Sequence, residues 1–220
     1  MSELEQTSSL ENGTRLVFLR HGYATHNRDA ELYGDSAYFD IKNLDAELTE
    51  KGIQQATNVG EKLGTYTTSW DKIYCSSLRR CYQTLEYALP DSKNLEVFLD
   101  DRLMEPQGRA VCNKRMSKED LLKPTSVPSC WNLNEVYDVN PFDETDEGYD
   151  FLKDDSLKKA VFLERVASFL LYLVKESSNN NYKNILIVAH HDWIAAAFKI
   201  LEEKVVSLEN CGLAEFYLDV

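Results

Sequence analysis

The stretch Arg15-Leu16-Val17-Phe18-Leu19-Arg20-His21-Gly22 decides how the rest of the chain is read. Leu16 to Leu19 are apolar without interruption, the pattern of a strand covered on both faces in a parallel sheet. The run stops in an arginine, a histidine and a glycine, which sets a cation, an imidazole and a permissive backbone at the strand's carboxyl end. In open α/β sheets that edge is where ligands bind.

A second stretch repeats the pattern. Asn184-Ile-Leu-Ile-Val-Ala-His190 is another continuous apolar run ending in histidine. The four histidines form two pairs, His21 with His26 and His190 with His191. If the two strands are parallel neighbours, His21 and His190 leave the sheet at the same edge and can face each other. One such histidine alone reads as a hydrogen-bonded structural residue. Two at equivalent strand ends, one beside an arginine, point to a site.

The intervening chain alternates helix and strand. A polar loop from Tyr23 to Ala46 leads to a helix that opens at Leu48-Thr49, with Thr49 as N-cap and Ile53, Ala56, Val59, Gly60 and Leu63 as its apolar face. Trp70 to Cys75 reads as a short strand. Ser76-Ser77-Leu-Arg-Arg-Cys-Tyr-Gln-Thr84 begins the next helix with a serine cap, and Leu95 to Leu99 is a third strand. Leu157 to Glu176 reads as a helix packing through Val161, Leu163, Val166, Leu170, Leu173 and Val174, and Ser177 to Asn181 turns into the second histidine strand. A helix from Trp193 to Leu201 and a strand from Leu213 to Val220 close the chain.

This order predicts an α/β fold, a three-layer α/β/α sandwich with a mostly parallel sheet and right-handed crossovers. From Met104 to about Tyr149 the pattern breaks down, with Pro106, Pro124, Pro128 and Pro141 and the acidic run Asp143-Glu-Thr-Asp-Glu147. Such a segment is expected to be an irregular lid insertion. The domain organisation that follows is a disordered polar tail over residues 1–14 and a single domain over 15–220, with the lid at about 104–149.

Composition narrows the function classes. Hydrophobic residues at 43% and charged residues at 28% describe an ordinary globular protein. A net charge of −13 argues against nonspecific nucleic-acid binding and against docking on an anionic membrane. No apolar run approaches the ~20 residues that cross a bilayer. The opening MSELEQTSSLENGT lacks the basic and apolar regions of a secretory signal. Five scattered cysteines with no CxxC indicate neither a zinc site nor a disulfide framework, so reduced thiols in the cytoplasm or nucleus are expected. Oligomeric state is not legible.

Arg20 and Arg80 sit where strands give way to a loop or a helix. A helix start already favours an anion, and the guanidinium fork matches phosphate oxygens. Two guanidiniums with His21 and His190 would make a pocket for a phosphoryl group; Arg79 reads as a solvated neighbour.

These pieces resemble the histidine phosphatase superfamily, the phosphoglycerate-mutase-like proteins. Arg20-His21-Gly22 with Asn27 is similar to its opening signature, Leu48-Thr49-x-x-Gly52-x-x-Gln55-Ala56 to its second block, and Ser76-Ser77-Leu78-x-Arg80-Cys81-x-Gln83-Thr84 to its third. Val188-Ala189-His190 corresponds to the distal histidine motif. The resemblance implies that His21 is the nucleophile, forming a phosphohistidine, and that Arg20, Asn27, Arg80 and His190 hold the phosphoryl oxygens. It implies that no metal and no cofactor is required, and that the partner is a small phosphorylated substrate rather than nucleic acid or a membrane. Glu105, in Met104-Glu-Pro-Gln-Gly-Arg-Ala-Val-Cys-Asn-Lys-Arg115, is the expected general acid, with Asp100 and Asp101 as competitors. Lys114 and Arg115 are either a cationic rim or a solvated pair. The lid aromatics Trp131, Tyr137, Phe142 and Tyr149 are either packing or substrate contacts.

Departures from the family pattern favour the phosphatase branch. Tyr23-Ala24 replaces the acidic-then-hydroxyl pair of mutases, no basic insertion for a bisphosphate is evident, and His191 stands where a small residue usually follows the distal histidine. The expected function is a metal-independent phosphatase of phosphomonoesters. A phosphoglycerate-type mutase and a non-catalytic phosphate-binding scaffold on the same fold are the alternatives. A metal site built from His26, His190 and His191 has no supporting ligand spacing.

Overall fold

The computed structural model describes residues 13–67, 69–106, 108, 110–123, 125–138, 156–202 and 206–219. In chain order these form β1 (Thr14–Arg20), α1 (Thr25–Tyr33), α2 (Glu50–Tyr66), β2 (Lys72–Ser76), α3 (Arg79–Ala88), β3 (Val97–Asp100), α4 (Lys118–Leu121), β4 (Asn132–Glu135), α5 (Ser156–Asn180), β5 (Asn184–Ala189), α6 (His191–Glu202) and β6 (Leu213–Leu218), joined by loops and short 3-10 turns.

The six strands make one sheet in the order β4-β3-β2-β5-β1-β6. All neighbours are parallel except β6, which runs antiparallel to β1 at one edge. The two strands that end in histidine are adjacent. Arg20 is in register with Ala189, and the His21 N–H donates to the Ala189 carbonyl over 3.1 Å, so His21 and His190 emerge side by side at the carboxyl edge.

Alternation along the strands divides the core in two. Val17, Leu19, Ile73, Cys75, Leu186 and Val188 face α2 and α3, where they meet Val59, Leu63, Tyr82 and Leu85. Leu16, Phe18, Tyr74, Ile185 and Ile187 face α5 and α6, where they meet Phe162, Val166, Phe169, Leu173 and Trp193. Each fully buried side chain of this kind contributes about 1.5–3 kcal/mol, which holds both central strands firmly beneath the site.

The turn after β1 depends on close backbone approach. A Cβ at Gly52 would overlap the Tyr23 carbonyl, and one at Gly22 would lie 2.7 Å from the Gly52 carbonyl oxygen. Thr49 caps α2 as expected, its Oγ1 accepting from the Gly52 N–H at 3.2 Å. The loop leaving His21 is thereby pressed onto the start of α2.

The structure corrects several sequence expectations. The segment after Met104 is not wholly irregular: it carries the one-turn helix α4 and supplies β4, which extends the sheet beside β3. The packing face of α5 is rotated, with Phe162 and Phe169 inside and Val174 37% exposed. Helix α5 also continues through Asn180, beyond the expected turn at Ser177. Ser76 and Ser77 do not cap α3, whose N-cap is Leu78 without a side-chain bond. Trp131 is packing, buried with its indole N–H donating to the Ser92 carbonyl at 3.0 Å. Phe142, Tyr149, the acidic run and residues 1–12 of the polar tail lie outside the described residues. Among the described residues no helix is long and apolar enough to cross a membrane.

Candidate active site

The carboxyl edge of β1 delivers His21 into a cavity of about 200 Å³. Its ring is buried, and Nδ1 lies 2.8 Å from the Gly22 carbonyl oxygen. A carbonyl only accepts, so Nδ1 carries the proton and Nε2 is left bare. Burial, then the charges of Arg80 and Arg20, hold the His21 pKa well below the ordinary histidine value. The next residue is anchored too: the Gly22 N–H donates to Thr84 Oγ1 at 2.9 Å.

Arg80 rises from the first turn of α3 and is 1% exposed. Two of its N–H groups donate to the Cys112 carbonyl and to Asn113 Oδ1, each at 2.8 Å, while Nε is buried without a partner. Arg20 donates through Nη1 to the Leu208 carbonyl at 2.5 Å, and its Nε is likewise buried and unpaired. Both guanidiniums therefore keep donors in reserve at the cavity they line. Asn27 also lines it, with its Oδ1 engaged by the Ala24 N–H at 3.0 Å.

Glu105 lines the same cavity. Its carboxylate accepts from the Asp192 and Trp193 N–H groups at 3.1 and 3.2 Å, at the start of α6. Such donors stabilise the ionised form, yet burial and the neighbouring Asp192 charge outweigh them and push the pKa up to about 7. The competing carboxylates are committed elsewhere. Asp100 pairs with Arg102 at 2.6 Å, and Asp101 pairs with Arg115 at 2.8 Å while accepting from Ser77 Oγ. Arg115 is thus no rim residue: its side chain is 4% exposed and turned onto Asp101, whereas Lys114 is exposed.

His190 is brought beside His21 but set back from the cavity. It is fully buried, with ring centroids 5.2 Å apart, and its Nε2 lies 2.8 Å from Ser76 Oγ and 3.4 Å from Cys81 Sγ. Arg20, His21, Asn27, Arg80 and Glu105 line the cavity directly; His190 supports it from behind.

Sequence reasoning gave no place in this wall to His26, Tyr38, Asn113 or Asp192, all of which line it. His26 and Asn113 sit inside the quoted motifs, so their positions were signalled though their roles were not. Tyr38 comes from the polar loop and carries no sequence signal. His191, at the mouth, pairs through Nδ1 with Asp192 Oδ1 at 2.8 Å, which raises its pKa. Among the described residues no cluster of His, Cys, Asp and Glu has the arrangement of a metal site.

A mostly parallel sheet in which two adjacent interior strands end in neighbouring histidines beside buried guanidiniums defines an α/β protein of the phosphoglycerate-mutase-like fold. The family model for the histidine phosphatase superfamily (branch 1) matches residues 16–214, and the chain belongs to that superfamily. It is 28% identical over 211 residues to a 2,3-bisphosphoglycerate-dependent phosphoglycerate mutase of Staphylococcus aureus, covering 86% of this chain and 85% of that one. Among solved structures it is similar to a phosphoglycerate mutase from Bacillus anthracis, with TM-score 0.61, 20% identity, and 96% and 91% of the two chains covered. It is also similar to a phosphoserine phosphatase from Entamoeba histolytica in complex with 3-phosphoglyceric acid, with TM-score 0.55, 24% identity, and 92% and 90% covered. At these identities the structural likenesses establish the fold alone.

Proposed function

We propose that the protein is a metal-independent phosphomonoesterase acting through a phosphohistidine on His21. The observation that carries this reading is the presence in one cavity of a neutral histidine with Nε2 bare and a carboxyl group whose pKa is pushed up to about 7. Nucleophile and acid are then both in their working protonation states near neutral pH.

In the first step Nε2 of His21 attacks phosphorus, a P–N bond forms, and the P–O bond to the alcohol breaks. The departing oxygen takes the proton of Glu105. In the second step the Glu105 carboxylate takes a proton from water, whose oxygen attacks phosphorus as the P–N bond breaks, giving inorganic phosphate and free His21. Arg20 and Arg80, through their uncommitted N–H groups, together with the Asn27 amide, neutralise the oxygens of the loose transition state. His190, held by Ser76 Oγ, stands behind His21 and keeps that ring in place rather than contacting the phosphoryl oxygens.

A mutase reading is favoured by the names of the sequence relatives. Against it stand Tyr23-Ala24 and His191, which depart from the mutase pattern. Hydrolysis of p-nitrophenyl phosphate in the presence of a chelator tests the proposal. Activity is expected in the wild type and absent in His21→Ala, with an acid-labile phosphoryl group trapped on the wild type alone. Undiminished turnover by His21→Ala would refute the assignment. Isomer exchange of a monophosphoglycerate primed with 2,3-bisphosphoglycerate, faster than phosphate release, would establish the mutase.

A further inference from the structure

Of the polar rings in the cavity wall that the reaction above does not use, those of His26, Tyr38 and His191, only His26 is buried. His26, on the first turn of α1, is 5% exposed and lines the cavity. Its ring stands 5.8 Å from that of His21 and 6.1 Å from that of Tyr38. Nδ1 is buried with no hydrogen-bond partner.

We propose that His26 is a specificity-determining residue that hydrogen-bonds a free hydroxyl on the alcohol portion of the substrate, so that the preferred class is a phosphorylated polyol rather than a simple alkyl phosphate. Buried N–H groups are orphaned far more rarely than acceptor sites, which assigns the proton to Nε2 and makes that nitrogen the donor available to a ligand. Burial, followed by the Arg80 and Arg20 charges, keeps the ring neutral. A neutral donor suits a hydroxyl, whereas a second anionic group on the substrate would share the cavity with Asp192. The position also fits. His26 immediately precedes Asn27 of the phosphate clamp, and its ring neighbours those of both His21 and Tyr38, all three lining the one cavity.

This inference rests on the phosphatase reading, and its test separates the two. Glycerol phosphate and n-propyl phosphate share a three-carbon chain and differ in the hydroxyls. The wild type is expected to favour glycerol phosphate by about tenfold in kcat/KM and in the dissociation constant, as one hydrogen bond to a buried donor allows. His26→Phe, which keeps a ring in place, should bring that ratio close to one while p-nitrophenyl phosphate hydrolysis stays within about twofold. His26→Gln, which restores a donor, should recover part of the preference. In 15N-histidine-labelled wild type, the His26 Nε2 resonance should shift with glycerol phosphate and remain in place with propyl phosphate, a readout that needs no variant. A wild type without preference, an unchanged ratio in His26→Phe, or an equal loss on every ester overturns the proposal. If neither ester is turned over, the phosphatase reading fails, and the dissociation constants and resonance shifts still judge His26.

Discussion

Glu105 shows at the scale of one residue how placement makes chemistry. Two backbone N–H groups hold its carboxylate, and burial against Asp192 opposes ionisation, so the group titrates near pH 7 rather than near 4.5. Protonated, it can supply the leaving oxygen's proton; ionised, it cannot. Turnover of an alkyl phosphate should therefore decline as pH rises past about 7. Glu105→Gln should lower kcat/KM for that ester, which reports the first step alone, by about 10²–10⁴-fold, the usual contribution of general acid catalysis. The loss should be much smaller for p-nitrophenyl phosphate, whose leaving group departs unaided. Equal losses for the two esters, measured across pH 5–9, would remove Glu105 from the acid role. At this scale the sequence was legible where residue type and motif coincide, as at Arg20, His21 and Arg80. It misled at Ser76 and Ser77. A serine before a helix reads as a cap, yet one hydroxyl is taken by His190 and the other by Asp101, partners distant in sequence.

At the scale of elements, the buried Asp101 ties the segment after Met104 to the sheet. One of its oxygens accepts from Ser77 Oγ at 2.5 Å and Arg115 Nε at 2.8 Å; the other accepts from Arg115 Nη2 at 2.9 Å and the Tyr137 N–H at 3.0 Å. Strand β3, the start of α3 and the chain that follows β4 thus meet at one carboxylate. Asp101→Ala would leave Arg115 buried and uncompensated, and the expected cost is about 3–5 kcal/mol, read as a lowered urea midpoint. A change under 1 kcal/mol would show that the pair does not fasten this segment. None of this junction was readable beforehand. Asn132-Leu-Asn-Glu135 is short and mostly polar, and β3 alone gives it a partner. Helix α5 was found but misoriented for the opposite reason. It is apolar on nearly every side, so its periodicity sets no phase, and Leu171 is left 70% exposed.

Across the whole molecule, the same buried groups set how stability answers to pH. His21, His26 and His190 are held neutral, their folded pKa values well below 6.5. Below pH 6.5 the unfolded chain binds protons that the folded one refuses, so this contribution is complete above pH 6.5 and is lost as pH falls. Glu105 acts in the other sense. Its folded pKa is raised, so the folded state holds a proton that the unfolded state releases between about 4.5 and 7, and stability declines across that interval as pH rises. His191, raised by Asp192, adds a contribution that is present below pH 6.5 and lost as pH climbs through its folded pKa. At pH 5 three histidines oppose one carboxyl group, a net difference of about two protons, or about 2–3 kcal/mol per pH unit, and the difference shrinks to less than one proton by pH 6.5. Stability of the ligand-free protein should therefore rise steeply to a maximum near pH 6.5 and then fall gently. Urea unfolding at half-unit intervals from pH 5 to 8 measures the curve, and Glu105→Gln should weaken the fall on the alkaline side while leaving the acid limb steep. An acid limb that is flat in the wild type would mean that these histidines take up protons without unfolding. The neutral nucleophile required for attack on phosphorus would then be available mainly above about pH 6.5, and turnover should fall with acid in step.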